Sequence, residues 1–233
     1  MPALPTTILV HGAFHGPWCW DRVTPLLEAR GVPYRAVDRS IGTPPRVSSE
    51  DRIDDRLTRD VITAAGGPVV LVGHSQGGRA ITWAGVDNPA VRHLIYLTAV
   101  VPGTVPSNVP PDSAAAFLRK DWGMDLDLPL ATPVFYNDCS PEDVAHATAR
   151  LRGQANTIDP TPPFDRYGWQ QVPSTFVVCN RDRAITPENQ RECAALIEPK
   201  CEVVEWESSH SPFYSMPERL ADLIESTARR YAE

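Results

Sequence analysis

Six short apolar runs punctuate the chain: Thr6 to Val10, Pro33 to Val37, Val69 to Gly73, Val91 to Thr98, Thr175 to Cys179 and Cys201 to Trp206. Their apolar positions run on continuously rather than alternating with polar ones, as in strands covered by helices on both faces. Helix-like segments lie between them. The alternation predicts an α/β protein built on a doubly wound, mostly parallel, six-stranded sheet. In the last helix, Leu220, Leu223, Ile224, Thr227 and Tyr231 share a face, and Ser215-x-x-Glu218 fits a capping box. From Pro102 to Pro173 the alternation breaks, and eleven of the 24 prolines fall there. Only two helices are predicted in that stretch. One lies near Asp112 to Asp121; the other runs from Ser140-Pro141-Glu142 to Arg152, stopped by Gly153. The predicted organisation is a core in two parts, 1–102 and 172–233, with a cap inserted at 103–171. No internal repeat of 20 to 50 residues is evident.

Gly73-His74-Ser75-Gln76-Gly77 joins the third apolar run to a helical segment beginning at Gly78. A serine on a sharp strand-to-helix turn has its hydroxyl held clear of the backbone, and glycines two residues to either side leave room for so tight a turn. The following helix aims free N–H groups at an anion formed there. The partners of such a serine come later in the chain, acid before histidine. His210 lies in the loop after the last strand; the alternative is a solvated loop histidine. Asp182 follows the strand that ends at Cys179, just before Thr186-Pro187, which can start a helix. A carboxylate there can hold the imidazole of His210 in the tautomer that accepts a proton from Ser75; the alternative is an ion pair with Arg181 or Arg183. Asp138 and Asp165 compete less well because they fall in the proline-rich insert. Oxyanion donors are expected from the N–H groups of Gln76, after the serine, and Ala13, in the loop His11-Gly12-Ala13-Phe14-His15-Gly16 after the first strand, where Gly12 permits a sharp turn. His11, His15, His74, His93 and His146 are read as structural. No His/Cys/carboxylate cluster has metal-ligand spacing, so neither metal nor cofactor is expected.

Three segments resemble the plant methylesterase and hydroxynitrile lyase branch of the α/β-hydrolases, together with its bacterial esterase-like relatives: 11–20 (HGAFHGPWCW), Gly73-His74-Ser75, and 179–185 (CNRDRAI). The similarity covers both ends of the chain and is weak between about Gly103 and Gln171. It implies Ser75, Asp182 and His210 as nucleophile, acid and base, with Ala13 and Gln76 at the oxyanion. Lyase members of that branch carry a lysine after the histidine and a threonine in place of the early glycine. This chain has Ser211 and Gly12, so the resemblance implies an esterase-type site. The expected activity is a carboxylesterase-type (EC 3.1.1.-) serine hydrolase cleaving a small apolar ester or lactone. The alternatives are another reaction on the same triad (a lyase, a thioesterase, a haloperoxidase-like activity or the cyclisation of a secondary metabolite) and a non-catalytic ligand-binding relative.

Composition narrows the partners. With 22 Lys+Arg against 29 Asp+Glu the 233-residue chain carries a formal charge of -7, which argues against nucleic acid as a partner. No apolar stretch approaches the ~20 residues needed to span a bilayer, and Met1-Pro2-Ala3-Leu4-Pro5 has neither a charged start nor a long apolar stretch before the first strand. Five cysteines without paired spacing suggest reduced thiols and a cytoplasmic location. The expected partners are the small-molecule substrate and, as a candidate, a second copy in a homodimer. The substrate pocket is expected to be lined by Phe14, Trp122, Phe135, Phe164, Trp169 and Phe213, with Phe117 nearby; for each, packing between cap and core is the alternative role.

Overall fold

The computed structural model describes residues 2–39, 53–102, 116–120, 123–155, 165–197 and 200–233. The six apolar runs are strands β1 (Thr6–Val10), β2 (Tyr34–Val37), β3 (Val69–His74), β4 (Val91–Leu97), β8 (Ser174–Cys179) and β9 (Cys201–Trp206). They form one sheet in the order β2-β1-β3-β4-β8-β9, and every pairing in it is parallel.

Alternate residues of the central strands feed two cores. Leu9, Val70, Val72, Ile95, Leu97 and Val177 face α1 (Thr24–Ala29) and α8 (Pro217–Arg230), with Leu27, Leu220 and Ile224 among the contacts. Ile8, Val10, Leu71, Leu94, Tyr96, Phe176 and Val178 face α2 (Ile53–Ala65), α3 (Gly77–Ala84) and α6 (Pro187–Leu196), through Ile62, Ile81 and Cys193. Each fully buried aliphatic side chain contributes roughly 1.5–3 kcal/mol of transfer free energy. The edge strands depart from the expectation of burial on both faces, because each lacks a neighbour on one side: β9 leaves Val203 exposed, and β2 is only partly covered.

Helix starts follow local chemistry, with one correction. Thr186 accepts from the Asn189 N–H at 3.3 Å ahead of Pro187. At α5 (Pro141–Thr148), Ser140 accepts from the Asp143 N–H at 3.1 Å. The capping box at Ser215 and Glu218 does not form. Pro212–Ser215 make a short helical turn of their own, α7; α8 starts at Pro217, and the Ser215 hydroxyl lies 2.8 Å from that of Ser208 instead.

Between β4 and β8 lies a small antiparallel sheet of β5 (Phe117–Lys120), β6 (Gly123–Leu126) and β7 (Gln154–Ala155), with α4 (Leu128–Phe135) and α5. Most of the helix expected over 112–121 lies outside the described residues; at its end, 117–120 are a strand paired with 123–126. Tertiary pairing overrides the helix propensity of that segment. The helix expected to reach Arg152 ends at Thr148, because the chain turns there to meet the loop after β1: the Arg152 N–H donates to the Phe14 carbonyl at 3.0 Å.

Candidate active site

Ser75, Asp182, His210 and the loop after β1 all stand at the carboxyl ends of parallel strands, where open α/β sheets place their ligand crevices. Ser75 has φ of 51°. This left-handed conformation is uncommon outside glycine and is a form of strain associated with functional positions. Close packing accounts for the neighbouring glycines. A Cβ on Gly73 would sit 2.7 Å from the Gly77 carbonyl oxygen, and one on Gly77 would strike the Val10 carbonyl oxygen. Gly12 is required for the same reason rather than for a sharp turn, since its Cβ would lie 2.7 Å from the Ser75 Cβ and 2.9 Å from His74 Nδ1.

Asp182 and His210 meet through a 2.7 Å bond between His210 Nδ1 and Asp182 Oδ2, with both side chains buried. The carboxylate is held from several directions. Oδ1 accepts from the N–H groups of Ala184 at 2.7 Å and Ile185 at 3.0 Å; Oδ2 also accepts from Gln190 Nε2 at 3.1 Å and from the Thr98 hydroxyl. His74 ties the histidine loop to the elbow: its Nε2–H donates to the His210 carbonyl at 2.8 Å, and the two rings lie 4.7 Å apart. Burial, followed by the neighbouring His210, holds His74 well below the ordinary histidine range, so it is a neutral strut. Asp138 does not reach the His210 ring. Its Oδ2 accepts from the Ser209 N–H at 2.8 Å, bracing the loop of His210 from the segment between β4 and β8, while Asn137 Nδ2 donates to the Arg181 carbonyl at 3.1 Å next to Asp182.

The loop after β1 is shaped by its two histidines. His11 Nε2 accepts from the Arg39 N–H at 2.9 Å, leaving Nδ1–H to donate to the Gly12 carbonyl at 2.8 Å. His15 Nδ1–H donates to the Ala13 carbonyl at 2.7 Å, and its Nε2 accepts from the Tyr136 hydroxyl at 2.7 Å. Burial holds both neutral, lowering His11 to about 3 and His15 to about 4. Among the described residues the N–H groups of Ala13 and Gln76 have no acceptor, which leaves both available to an oxyanion.

The aromatic residues fall in different places. Phe14, Phe117 and Phe135 form a cluster with ring centroids 5.5 to 6.4 Å apart, and Phe135 stacks on the His210 ring at 5.5 Å. Phe213 is fully buried behind His74, edge-on at 4.9 Å, and belongs to the core beneath the site. Trp169 packs on the opposite face of the sheet, stacked on Tyr167 near Trp83. Trp122 and Phe164 lie outside the described residues. Among the described residues no cluster of His, Cys, Asp or Glu could hold a metal ion. All five cysteines are free, and burial raises Cys139 to about 12 and Cys19 and Cys179 well above the ordinary thiol range. Burial thus favours the protonated thiol in all three.

Thr98, Gln190, His74, His15 and Tyr136 were not marked by sequence reasoning as parts of the site. His74 and His15 lie inside segments the sequence singled out, but which partners their rings meet is set by packing; for Thr98, Gln190 and Tyr136 no local motif marks the contact.

A parallel sheet with a strained serine at a strand-to-helix elbow and a buried histidine–aspartate pair at neighbouring strand ends defines an α/β hydrolase. The chain belongs to that family: residues 7–223 match the model of the Alpha/beta hydrolase family. It is 32% identical to a pyrethroid hydrolase of Sphingobium wenxiniae over 97% of this chain and 88% of that protein. To methylesterase 1 of Arabidopsis thaliana it is 29% identical, over 96% of each. A crystal structure of a pyrethroid hydrolase from Sphingobium faniae superposes with a TM-score of 0.84 at 31% identity, covering 98% of this chain and 99% of that one. The protein is an enzyme of the carboxylesterase type.

Proposed function

We propose that this chain hydrolyses a small apolar carboxylic ester or lactone through an acyl-enzyme on Ser75. The observation that carries the reading is the continuous chain of contacts from Asp182 through His210 to His74, the residue next to Ser75. With Nδ1–H committed to Asp182, the His210 Nε2 carries the lone pair that accepts the Ser75 proton. Ser75 Oγ bonds to the carbonyl carbon, and the developing oxyanion takes the N–H groups of Ala13 and Gln76. The ester C–O bond then breaks, and the alkoxide leaves with the proton held by His210. Water, deprotonated by the same imidazole, attacks the acyl-enzyme; the acid departs and Ser75 regains its proton.

The cluster of Phe14, Phe117 and Phe135 beside His210 supports an apolar substrate, as do relatives named as hydrolases of pyrethroids and as methylesterases. Cyanohydrin cleavage fits less well. Ser211 supplies no cation after His210, and the space a threonine would need at Gly12 is filled by Ser75 and His74. We assign segment 103–171 the role of a cap that excludes water and shapes the pocket.

The test is hydrolysis of p-nitrophenyl esters of rising chain length alongside cyanide release from mandelonitrile. Ester hydrolysis is expected, with cyanide at background. Ser75→Ala and His210→Ala should each lower turnover roughly 10³-fold or more, and the double variant should lose little further, because the pair acts as a unit. Losses that multiply, or a fluorophosphonate label that survives Ser75→Ala, would overturn the assignment.

A further inference from the structure

We propose that Thr98 is a positioning residue that aims the Asp182 carboxylate at His210. The inference rests on the reading of Asp182 and His210 as acid and base. Thr98 follows the last residue of β4 and is fully buried. Its φ is 40°. For a β-branched side chain the left-handed region is a genuine outlier, and such strain persists where the surroundings impose it and function uses it. The surroundings do impose it: the Thr98 N–H donates to the Val177 carbonyl at 2.9 Å, continuing the sheet toward β8, and two residues later the Val100 N–H donates to the Ser75 carbonyl at 2.9 Å. The tight turn at Thr98 therefore ties the strand that precedes the acid to the serine itself.

A glycine would occupy this conformation without strain. Threonine brings a hydroxyl that glycine lacks, and that hydroxyl donates to Asp182 Oδ2 while lying 3.5 Å from His210 Nδ1. Oδ1 is fixed by the N–H groups of Ala184 and Ile185. Oδ2 is the oxygen that His210 uses, and Thr98 and Gln190 are the two side chains that complete its hydrogen bonding. With the hydroxyl removed, the carboxylate keeps its anchor but loses a restraint on the oxygen that sets the imidazole's tautomer and orientation.

Thr98→Val keeps the branched shape and the strain and removes only the hydroxyl; Thr98→Ser keeps the hydroxyl and removes the methyl. The measurements are kcat and KM on a p-nitrophenyl ester, the thermal midpoint, and the downfield proton resonance of the His210 imidazole, with Ser75→Ala as reference. Loss of one hydrogen bond to a buried charged group leads us to expect kcat to fall roughly 10- to 100-fold in Thr98→Val at nearly unchanged KM. The downfield resonance should broaden or move in that variant, and Thr98→Ser should restore both. Wild-type kcat and resonance in Thr98→Val, with Ser75→Ala inactive, would make the hydroxyl a bystander. Equal losses in the Val and Ser variants would show that the hydroxyl alone does not account for the effect and overturn the proposal. Full activity in Ser75→Ala would instead bring down the reading of the site, and this proposal with it.

Discussion

A methyl group added at Gly12 would fall 2.7 Å from the Ser75 Cβ, closer than side-chain carbons approach, and 2.9 Å from His74 Nδ1. None of these atoms is the free end of a flexible side chain. Ser75 is held in its left-handed turn, and His74 is bonded to the His210 backbone. Relief must therefore move the elbow, the loop after β1, or both, and a shift approaching 1 Å costs on the order of 10²-fold in rate. Gly12→Ala should fold and retain substrate binding while kcat falls by about that factor; steady-state kinetics with an unchanged far-ultraviolet spectrum is the check. The same residues show what a sequence exposes at this scale. Ser75 is legible because covalent neighbours build its turn, and Asp182 and His210 are legible because each follows an apolar run. Thr98, His74 and His15 are not, since their roles depend on which strand end comes to lie beside which. The sequence reading also explained Gly12 by turn geometry, whereas close approach of another segment is what requires it.

Among the elements, the cap was the hardest to read. Helix α4 begins with Pro129 at its second position and has Pro133 inside it, a pattern that signals irregular chain; the first proline fits a helix start, and the second removes one internal hydrogen bond. This element carries Phe135 onto His210 and Tyr136 onto His15. Strands β5, β6 and β7 are too short for period-two alternation to reveal them. The connection from Tyr136 to His15 to the Ala13 carbonyl links the cap to the peptide preceding Phe14. Replacing Tyr136 by Phe leaves His15 Nε2 buried without a donor, at a cost of roughly 1–3 kcal/mol. For a chain of this length that lowers Tm by about 2–4 °C per kcal/mol. Tyr136→Phe should accordingly melt several degrees early and lose turnover as the loop bearing Ala13 loosens. Calorimetry and kinetics on one preparation test this, and an unchanged Tm would show that the cap is held by its other contacts alone.

For the whole molecule, the parallel sheet was legible from six apolar runs, because each central strand is buried on both faces and cannot disguise itself with polar residues. Strand order, and the choice of which buried polar groups stay neutral, came only with the tertiary structure. That choice sets the response to acid. Burial, the largest cause in each case, lowers His11 to about 3, His15 and His93 to about 4, and His74 well below the ordinary histidine value. In the unfolded chain the same four side chains bind protons near pH 6.5. Between that pH and about 4 the unfolded state therefore holds more protons than the folded one, and stability falls as pH falls. Above pH 6.5 these groups impose no such penalty. Each contributes a slope of up to about 1.4 kcal/mol per pH unit within the window. His93 offers the cleanest test because it lies away from the site, between Thr175 Oγ1 at 2.9 Å and the Tyr231 hydroxyl at 3.2 Å. Urea unfolding at pH 7.5 and 5.5 should show a markedly lower midpoint at the acid pH. His93→Gln, which can keep one of those hydrogen bonds but binds no proton, should reduce the difference. Equal midpoints for the wild type at the two pH values would show that these histidines accept protons without unfolding.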